Sequence, residues 1–285
     1  MKSRALLGIY REKIFSPGRV EDDAAIMDRT LEELSRIGWV VEALPAESVE
    51  RSTPRPENVV SMAQSNRVLT IEEEWTREGT LAVNTASAVR NCYRKPLTRI
   101  LSGAGIPIPP SKMFTLREAL DGVGLGPSIR VWLKRGDVHA MEPEDVVSVV
   151  CREELIEALE YFHTRGIPDI VVQDHSRGPV VKFYGVGRGD FFKAYPASGK
   201  EELTSGLEPL RAVAERAAEA VGLDIYGGDA VLTSEEGAIL IDLNDWPSFS
   251  RCRGAAASSI ARYAAARFQS VDCGDSLFTG LANAY

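Results

Sequence analysis

Near the C-terminal end, the stretch ILIDLNDWPSF (Ile239 to Phe249) starts as a run of apolar side chains and ends in Asp242, Asn244 and Asp245. Residues two apart in a strand share a face, so Asp242 and Asn244 present a carboxylate and a carboxamide side by side. Oxygen donors placed this way suit a hard divalent cation, Mg²⁺ or Mn²⁺. An Asp and an Asn at a strand end also suit an Asx-type turn, and these residues alone leave both readings open. A further carboxylate, Asp229, follows a Gly-Gly pair in YGGDAVL, just ahead in the chain. If these two strands are antiparallel neighbours, Asp229, Asp242 and Asn244 form a cup for a metal.

Lysines supply the opposite charge. Lys134 ends the apolar run RVWLK and leads into Arg135, Gly136 and Asp137. A Lys at a strand end before a Gly-containing loop suits a phosphate, and it suits a plain surface charge as well. Lys182 interrupts VVKFYGVG, where it is either the solvent side of an alternating strand or a charge turned toward a site. VVQDH, Val171 to His175, ends an apolar strand in polar residues, as a hinge would. His139 is expected to be an exposed loop residue, and His163, on the helix ahead of DIVVQ, is expected to be structural.

The elements that must hold these side chains fall into two parts. ALLGIY, an amphipathic helix from about 22 to 37, and GWVVEALP make a β-α-β start. NVVSMA, a helix near 68–78 and the short strand TLAVN follow. Thr85 or Ser87 then caps a Pro-interrupted helical run to Leu101, and IPIPPS leaves it as a stiff extended exit. From there the pattern changes to closely spaced short strands: SIRVWLKRGD, DVVSVV, DIVVQDH, PVVKFYGVG, DFFKAYP, YGGDAVL and AILIDLN. Helices near 152–165 and 208–221 interrupt them, and Gly-containing turns point to antiparallel sheets. An Ala-rich helix spans about 254–269, and the tail after it is expected to order only by docking.

Composition sets the outer limits. A chain of 285 residues with net charge −8 and 26% charged residues is an ordinary soluble globular chain, not a nonspecific nucleic-acid binder. No apolar run is long enough to span a bilayer, and the apolar stretch from Ala5 to Tyr10 is too short for a signal peptide. Cys92, Cys151, Cys252 and Cys273 have no C-x-x-C spacing, which argues against zinc and against a disulfide scaffold. A cytoplasmic address follows by default.

Taken in order, these stretches resemble the ATP-grasp superfamily over most of the chain. The likeness is to the glutathione-synthetase-like and ribosomal-protein glutamate ligases, with features of the inositol polyphosphate kinases of the same superfamily. It implies an α/β pre-ATP-grasp domain over 1–84, then an α+β ATP-grasp fold with antiparallel sheets over 85–285, in two subdomains hinged near 173–175. It implies ATP and Mg²⁺ as cofactors and a small-molecule acceptor, with no nucleic-acid or membrane partner.

The same resemblance assigns roles. NTASAVRNCYRKPLTRILSGAGIPIPPSKMF is similar to the segment ahead of the ATP-grasp fold, so Lys95 would touch the nucleotide. Lys134 would bind the α/β-phosphates, and Gln173, Asp174 and His175 would read adenine. Asp229, Asp242 and Asn244 would hold the metal, and Lys182 and Lys193 would act on the transferred group. The departures are also specific. Arg94 stands where the ligases usually carry an Asp, Lys182 where they carry an Arg, and Asp242 where they usually have a Glu. The glycine-rich flap is missing after Lys134, leaving phosphate coverage to side chains such as Arg135 and His139. VVKFYGVG, GDFFKAYP and IDLNDWPSF resemble the kinases, whereas an acidic chain suits a heavily phosphorylated ring poorly. A carboxylate–amine or carboxylate–thiol ligase is therefore the leading expectation, and a small-molecule kinase the alternative.

Overall fold

A computed structural model describes residues 4–122, 130–233 and 237–270. The expected tail lies outside the described residues, as do Ser128 and Ile129 of the expected strand SIRVWLKRGD.

The first unit comprises β1 (Ala5–Tyr10), α1 (Val20–Arg36), β2 (Val40–Pro45), β3 (Asn58–Ser61), α2 (Asn66–Arg77) and β4 (Leu81–Val83). Its strands form a parallel sheet in the order β2-β1-β3-β4. β1 and β3 are buried almost throughout because both faces of a parallel sheet are covered. Ile26, Met27, Leu31 and Leu34 recur at helical spacing and are buried, while Glu21, Asp22 and Asp23 fill the first turn of α1 where the helix dipole favours them. The chain leaves β1 toward β2 and returns to β3 on the other side. This reversal opens a crevice at the carboxyl ends of β1 and β3, the usual ligand position in such sheets.

Next come α3 (Ala86–Asn91), whose N-terminus is capped by the Thr85 hydroxyl, and α4 (Arg94–Gly103). Pro96 falls in the first turn of α4, where its missing N–H leaves no bond unmade. The second sheet is built from β5 (Ser111–Thr115), β6 (Val131–Arg135), β7 (Val146–Val149) and β8 (Asp169–Asp174), in the antiparallel order β5-β8-β6-β7. It carries α5 (Leu116–Gly122) and α6 (Arg152–Thr164). Strand β5 and helix α5 were not among the expected elements. SKMFT has no apolar alternation and is fixed by pairing with β8, from Ser111↔Gln173 to Thr115↔Asp169. Helix α5 had a sequence signal in TLRE. The Thr115 hydroxyl accepts from Glu118 N at 3.3 Å, and Thr115 N donates to Glu118 Oε2 at 2.7 Å, a capping box.

The third sheet is antiparallel, ordered β10-β9-β11-β12, from β9 (Val180–Val186), β10 (Phe191–Pro196), β11 (Ile225–Thr233) and β12 (Gly237–Asp245). Helix α7 (Glu208–Val221) covers one face and ends at Gly222, whose φ of 89° is the left-handed stop that favours glycine. Helix α8 (Arg253–Ser270) turns its alanines inward, which lets it lie close against α1 and β9. Leu6 and Ile26, Tyr184 and Ile225, and Ile260 and Phe268 therefore share one core across the first unit, the third sheet and α8. No helix among the described residues is long and apolar enough to cross a membrane.

Candidate active site

Strand register assembles the site. Across the third sheet, Tyr195 stands opposite Lys182, Lys182 opposite Asp229, and Asp229 opposite Asp242. Directly paired residues share a face, so Lys182, Asp229 and Asp242 form one transverse row. The next row holds Lys193, Tyr184, Gly227 and Asn244. The sequence separates these residues widely, but antiparallel pairing places the two aspartates face to face. The register shifts between Asp229 and Ala230, a local irregularity of the kind found beside active sites. Gly228 is required here: a Cβ on it would lie 2.2 Å from the Asp242 carbonyl oxygen and 2.8 Å from Phe183.

The row is charged and paired. Lys182 Nζ lies 3.0 Å and 3.2 Å from the two oxygens of Asp229. Arg94, from the start of α4, reaches Asp242 with Nη1 2.5 Å from Oδ1. Burial raises the Asp242 carboxyl, but the charges of Arg94 and Lys134 and hydrogen bonds from Arg94 and Asn244 outweigh it and hold the group well below the usual carboxylate range. For Asp229 burial prevails, reinforced by Asp242 and opposed by Lys182, and its carboxyl is raised. The two facing carboxyls are thus pushed apart: burial raises Asp229 despite Lys182, whereas Arg94 and Lys134 overcome burial at Asp242.

From the second sheet, Lys134 crosses to the third. It is buried, and its Nζ donates to Gln173 Oε1 at 2.6 Å and to the Ile241 carbonyl at 2.9 Å. Burial and the neighbouring Arg94 push the Lys134 ammonium down to about 7, against the attraction of Asp242 and Asp229. Gln173 shares its face because it stands opposite Trp132, two residues from Lys134, and its amide nitrogen donates to Ser111 Oγ at 3.2 Å.

The other expected residues lie further out. Lys95 pairs with Asp169 at 2.6 Å, while its neighbour Arg94 takes the place facing Asp242. Asp174 is exposed at the end of β8, and His175 accepts from the Trp132 indole at 3.3 Å. Residues 173–175 lead directly from the second sheet to the third. Lys193 shares the face of the row from the edge strand β10, pairs with Glu202, and does not line the cleft that holds Lys182 and Asp242.

The expectation of a solvent-facing His139 is overturned. Its side chain is 10% exposed, packs edge-on against Tyr93 with ring centres 5.5 Å apart, and places Nε2 3.1 Å from Asp245 Oδ1. The Tyr93 hydroxyl donates to the Gln64 carbonyl at 2.7 Å, and the Gln64 amide donates to Asp245 Oδ1 at 2.9 Å. Arg11, directly after β1, is held by the Trp246 carbonyl at 2.8 Å and by Asp23 at 3.2 Å. Trp246 and Phe249 take left-handed φ values of 32° and 48°, which leaves the backbone strained just after Asn244.

The resulting cleft, of about 330 Å³, is lined by Arg11, Asp23 and Gln64 from the first unit and by Arg94, Lys182, Asp229, Asp242 and Asn244. Sequence reasoning missed Arg11, Asp23 and Gln64. The available signal was the position of Arg11 and Gln64 just past the carboxyl ends of β1 and β3, and of Asp23 in the first turn of the helix that follows β1.

The oxygen set fits a hard cation in part. Among the described residues no three His, Cys, Asp or Glu side chains are arranged to hold a metal. Asp229, Asp242 and the Asn244 carboxamide supply three oxygen donors, fewer than Mg²⁺ requires, so phosphate oxygens and water would complete the shell.

No family model and no curated protein matches the chain by sequence. Solved structures do match by shape. A RimK-domain ATP-grasp protein from Sphaerobacter thermophilus superposes with a TM-score of 0.71 at 20% identity, covering 92% of this chain and 99% of that one. D-alanine–D-alanine ligase from Bacillus anthracis gives a TM-score of 0.71 at 12% identity, over 95% and 99% of the two chains. D-cycloserine synthetase DcsG gives 0.66 at 17% identity, over 91% and 99%.

Proposed function

Taking as premise that the chain has the ATP-grasp fold, we propose that it is an ATP-dependent ligase that joins a carboxylate to an amine or a thiol through an acyl phosphate. One observation carries the reading: the transverse row Lys182, Asp229 and Asp242, with Asn244 beside it, lines a cleft, and Lys134 reaches the same strand from the second sheet, with its Nζ on the Ile241 carbonyl. In it, Lys134 binds nucleotide phosphates, Gln173, Asp174 and His175 form the hinge beside the base, and Asp229, Asp242 and Asn244 hold the cation. A bound Mg²⁺ would neutralise phosphate charge and orient the terminal group. Lys182 would steady the phosphoryl group as it moves. Lys95 and Lys193 would assist from the margins once their carboxylate partners yield to phosphate. The acceptor enters over Arg11, Asp23 and Gln64, at the crevice of the first unit. The three named neighbours add support, since two of them are a D-alanine–D-alanine ligase and a D-cycloserine synthetase.

A small-molecule kinase is the second reading. Its support is Lys182 itself, a compact point charge held at 3.0 Å from Asp229 where a carboxylate-binding Arg would offer a planar fork. Incubation with ATP and Mg²⁺ and pooled amino acids and polyols, read by mass, separates the two. Free phosphate with a condensed product is the expected outcome. A gain of one phosphate on the acceptor would replace the ligase with the kinase.

A further inference from the structure

Each carboxylate of the candidate metal cup already carries a cation. Lys182 faces Asp229 from the adjacent strand, as register requires. Arg94 is different, because it arrives from helix α4 and places Nη1 and Nη2 at 2.5 Å and 3.5 Å from the two oxygens of Asp242. Among the described residues its guanidinium has no other hydrogen-bond partner. Arginine stays charged at every accessible pH, so no change of pH releases Asp242 by titrating it. A bare divalent cation approaching Asp242 meets both a neutralised carboxylate and a fixed like charge at contact distance.

We propose that Arg94 is an exchangeable counter-ion. It holds Asp242 in the free protein and moves to terminal phosphate oxygens when nucleotide and metal arrive together, freeing Asp242 for the metal. The inference rests on the reading of Asp229, Asp242 and Asn244 as the metal cup. Its chemistry is an exchange of like for like, because a guanidinium fork accepts a phosphate with the same two-oxygen geometry as a carboxylate. The movement required is short, since Arg94, Lys182 and Asp242 line one cleft. Metal and nucleotide thereby become linked, each tightening the other by the same factor.

The test is Mn²⁺ titration of the full chain, followed by electron paramagnetic resonance of the free ion, with and without ATP. The wild type is expected to bind Mn²⁺ alone weakly and much more tightly with ATP. Arg94→Gln should bind Mn²⁺ alone roughly tenfold or more tightly than wild type, from the loss of one adjacent positive charge. ATP should then add less. Arg94→Met keeps the aliphatic stem and repeats the measurement if the glutamine variant folds poorly. Adding Asp242→Asn should abolish the gain. Wild-type Mn²⁺ affinity in both Arg94 variants, with ATP still recruiting Mn²⁺, would overturn the exchange and leave the metal cup standing. A gain that survives Asp242→Asn would also overturn it. No Mn²⁺ binding by wild type even with ATP would overturn the cup, and the exchange with it.

Discussion

Lys134 shows how a single residue is tuned by its surroundings. Its ammonium has left water for a site offering one amide oxygen and one carbonyl oxygen, with a guanidinium nearby, and burial pushes it down to about 7. At pH 8 the free protein therefore holds Lys134 mostly neutral. A bound phosphate favours the charged form and raises the pKa again, so nucleotide binding at pH 8 should take up close to one proton. Calorimetry in buffers of different ionisation enthalpy reads this directly. Lys134→Met should abolish the uptake and weaken ATP binding by roughly tenfold or more, the worth of a charge-assisted hydrogen bond. Equal proton uptake in the two proteins would remove Lys134 from the phosphate site.

At the scale of elements, the site depends on β11 and β12 lying close enough for Asp229 to face Asp242. Gly228 makes that approach possible, since any side chain there would collide with the Asp242 carbonyl, which is backbone and cannot swing aside. Gly228→Ala should destabilise the protein by about 1–3 kcal/mol or more, as overpacking does. It should also weaken Mg-ATP binding by displacing Asp229. Denaturant unfolding and ATP titration measure the two effects separately. Wild-type values in both would show that the strands can part without consequence. The elements themselves were largely legible, because β1, β6 and β12 are continuous apolar or alternating runs and α1 has a helical stripe. Strand β5 was not legible, because its residues are polar and its conformation is imposed by β8.

At the scale of the whole molecule, carboxyls are buried on both sides of the cleft, Asp23 in the first unit and Asp245 on β12, and a further one lies in the first unit. Glu72 on α2 is 1% exposed, with Oε1 accepting from Ser61 at 2.5 Å and Oε2 lacking a hydrogen-bond partner among the described residues. Burial pushes its carboxyl up to about 8, opposed by the Ser61 hydrogen bond and reinforced by the charges of Glu12 and Asp245. A folded-state pKa raised above the unfolded value means that the native state holds the proton longer. The stability that goes with this is complete below about 4.5 and is lost as pH rises through about 8. Glu72→Gln has no proton to lose. The unfolding free energy of wild type should therefore fall relative to that of the variant between these limits, by up to about 1.4 kcal/mol per pH unit at the steepest. Urea unfolding of both proteins at several pH values from 5 to 8 provides the test, and parallel curves would refute it.

Local sequence carried the order of every strand but β5, the antiparallel character of the second half, and the candidacy of Lys134, Lys182, Asp229, Asp242 and Asn244. These follow from periodicity, turn residues and side-chain type, all of which are local. It did not determine who stands opposite whom. Arg94 differs from the usual pattern by one residue type, but only the packing of α4 against α7 and β8 turns it onto Asp242 and leaves Lys95 to Asp169. His139 had no local feature to distinguish it from any loop histidine, and its place against Tyr93 and Asp245 depends on four separate chain segments meeting. Charge pairing and desolvation act through space between residues far apart in sequence, so they were settled only when the tertiary structure formed.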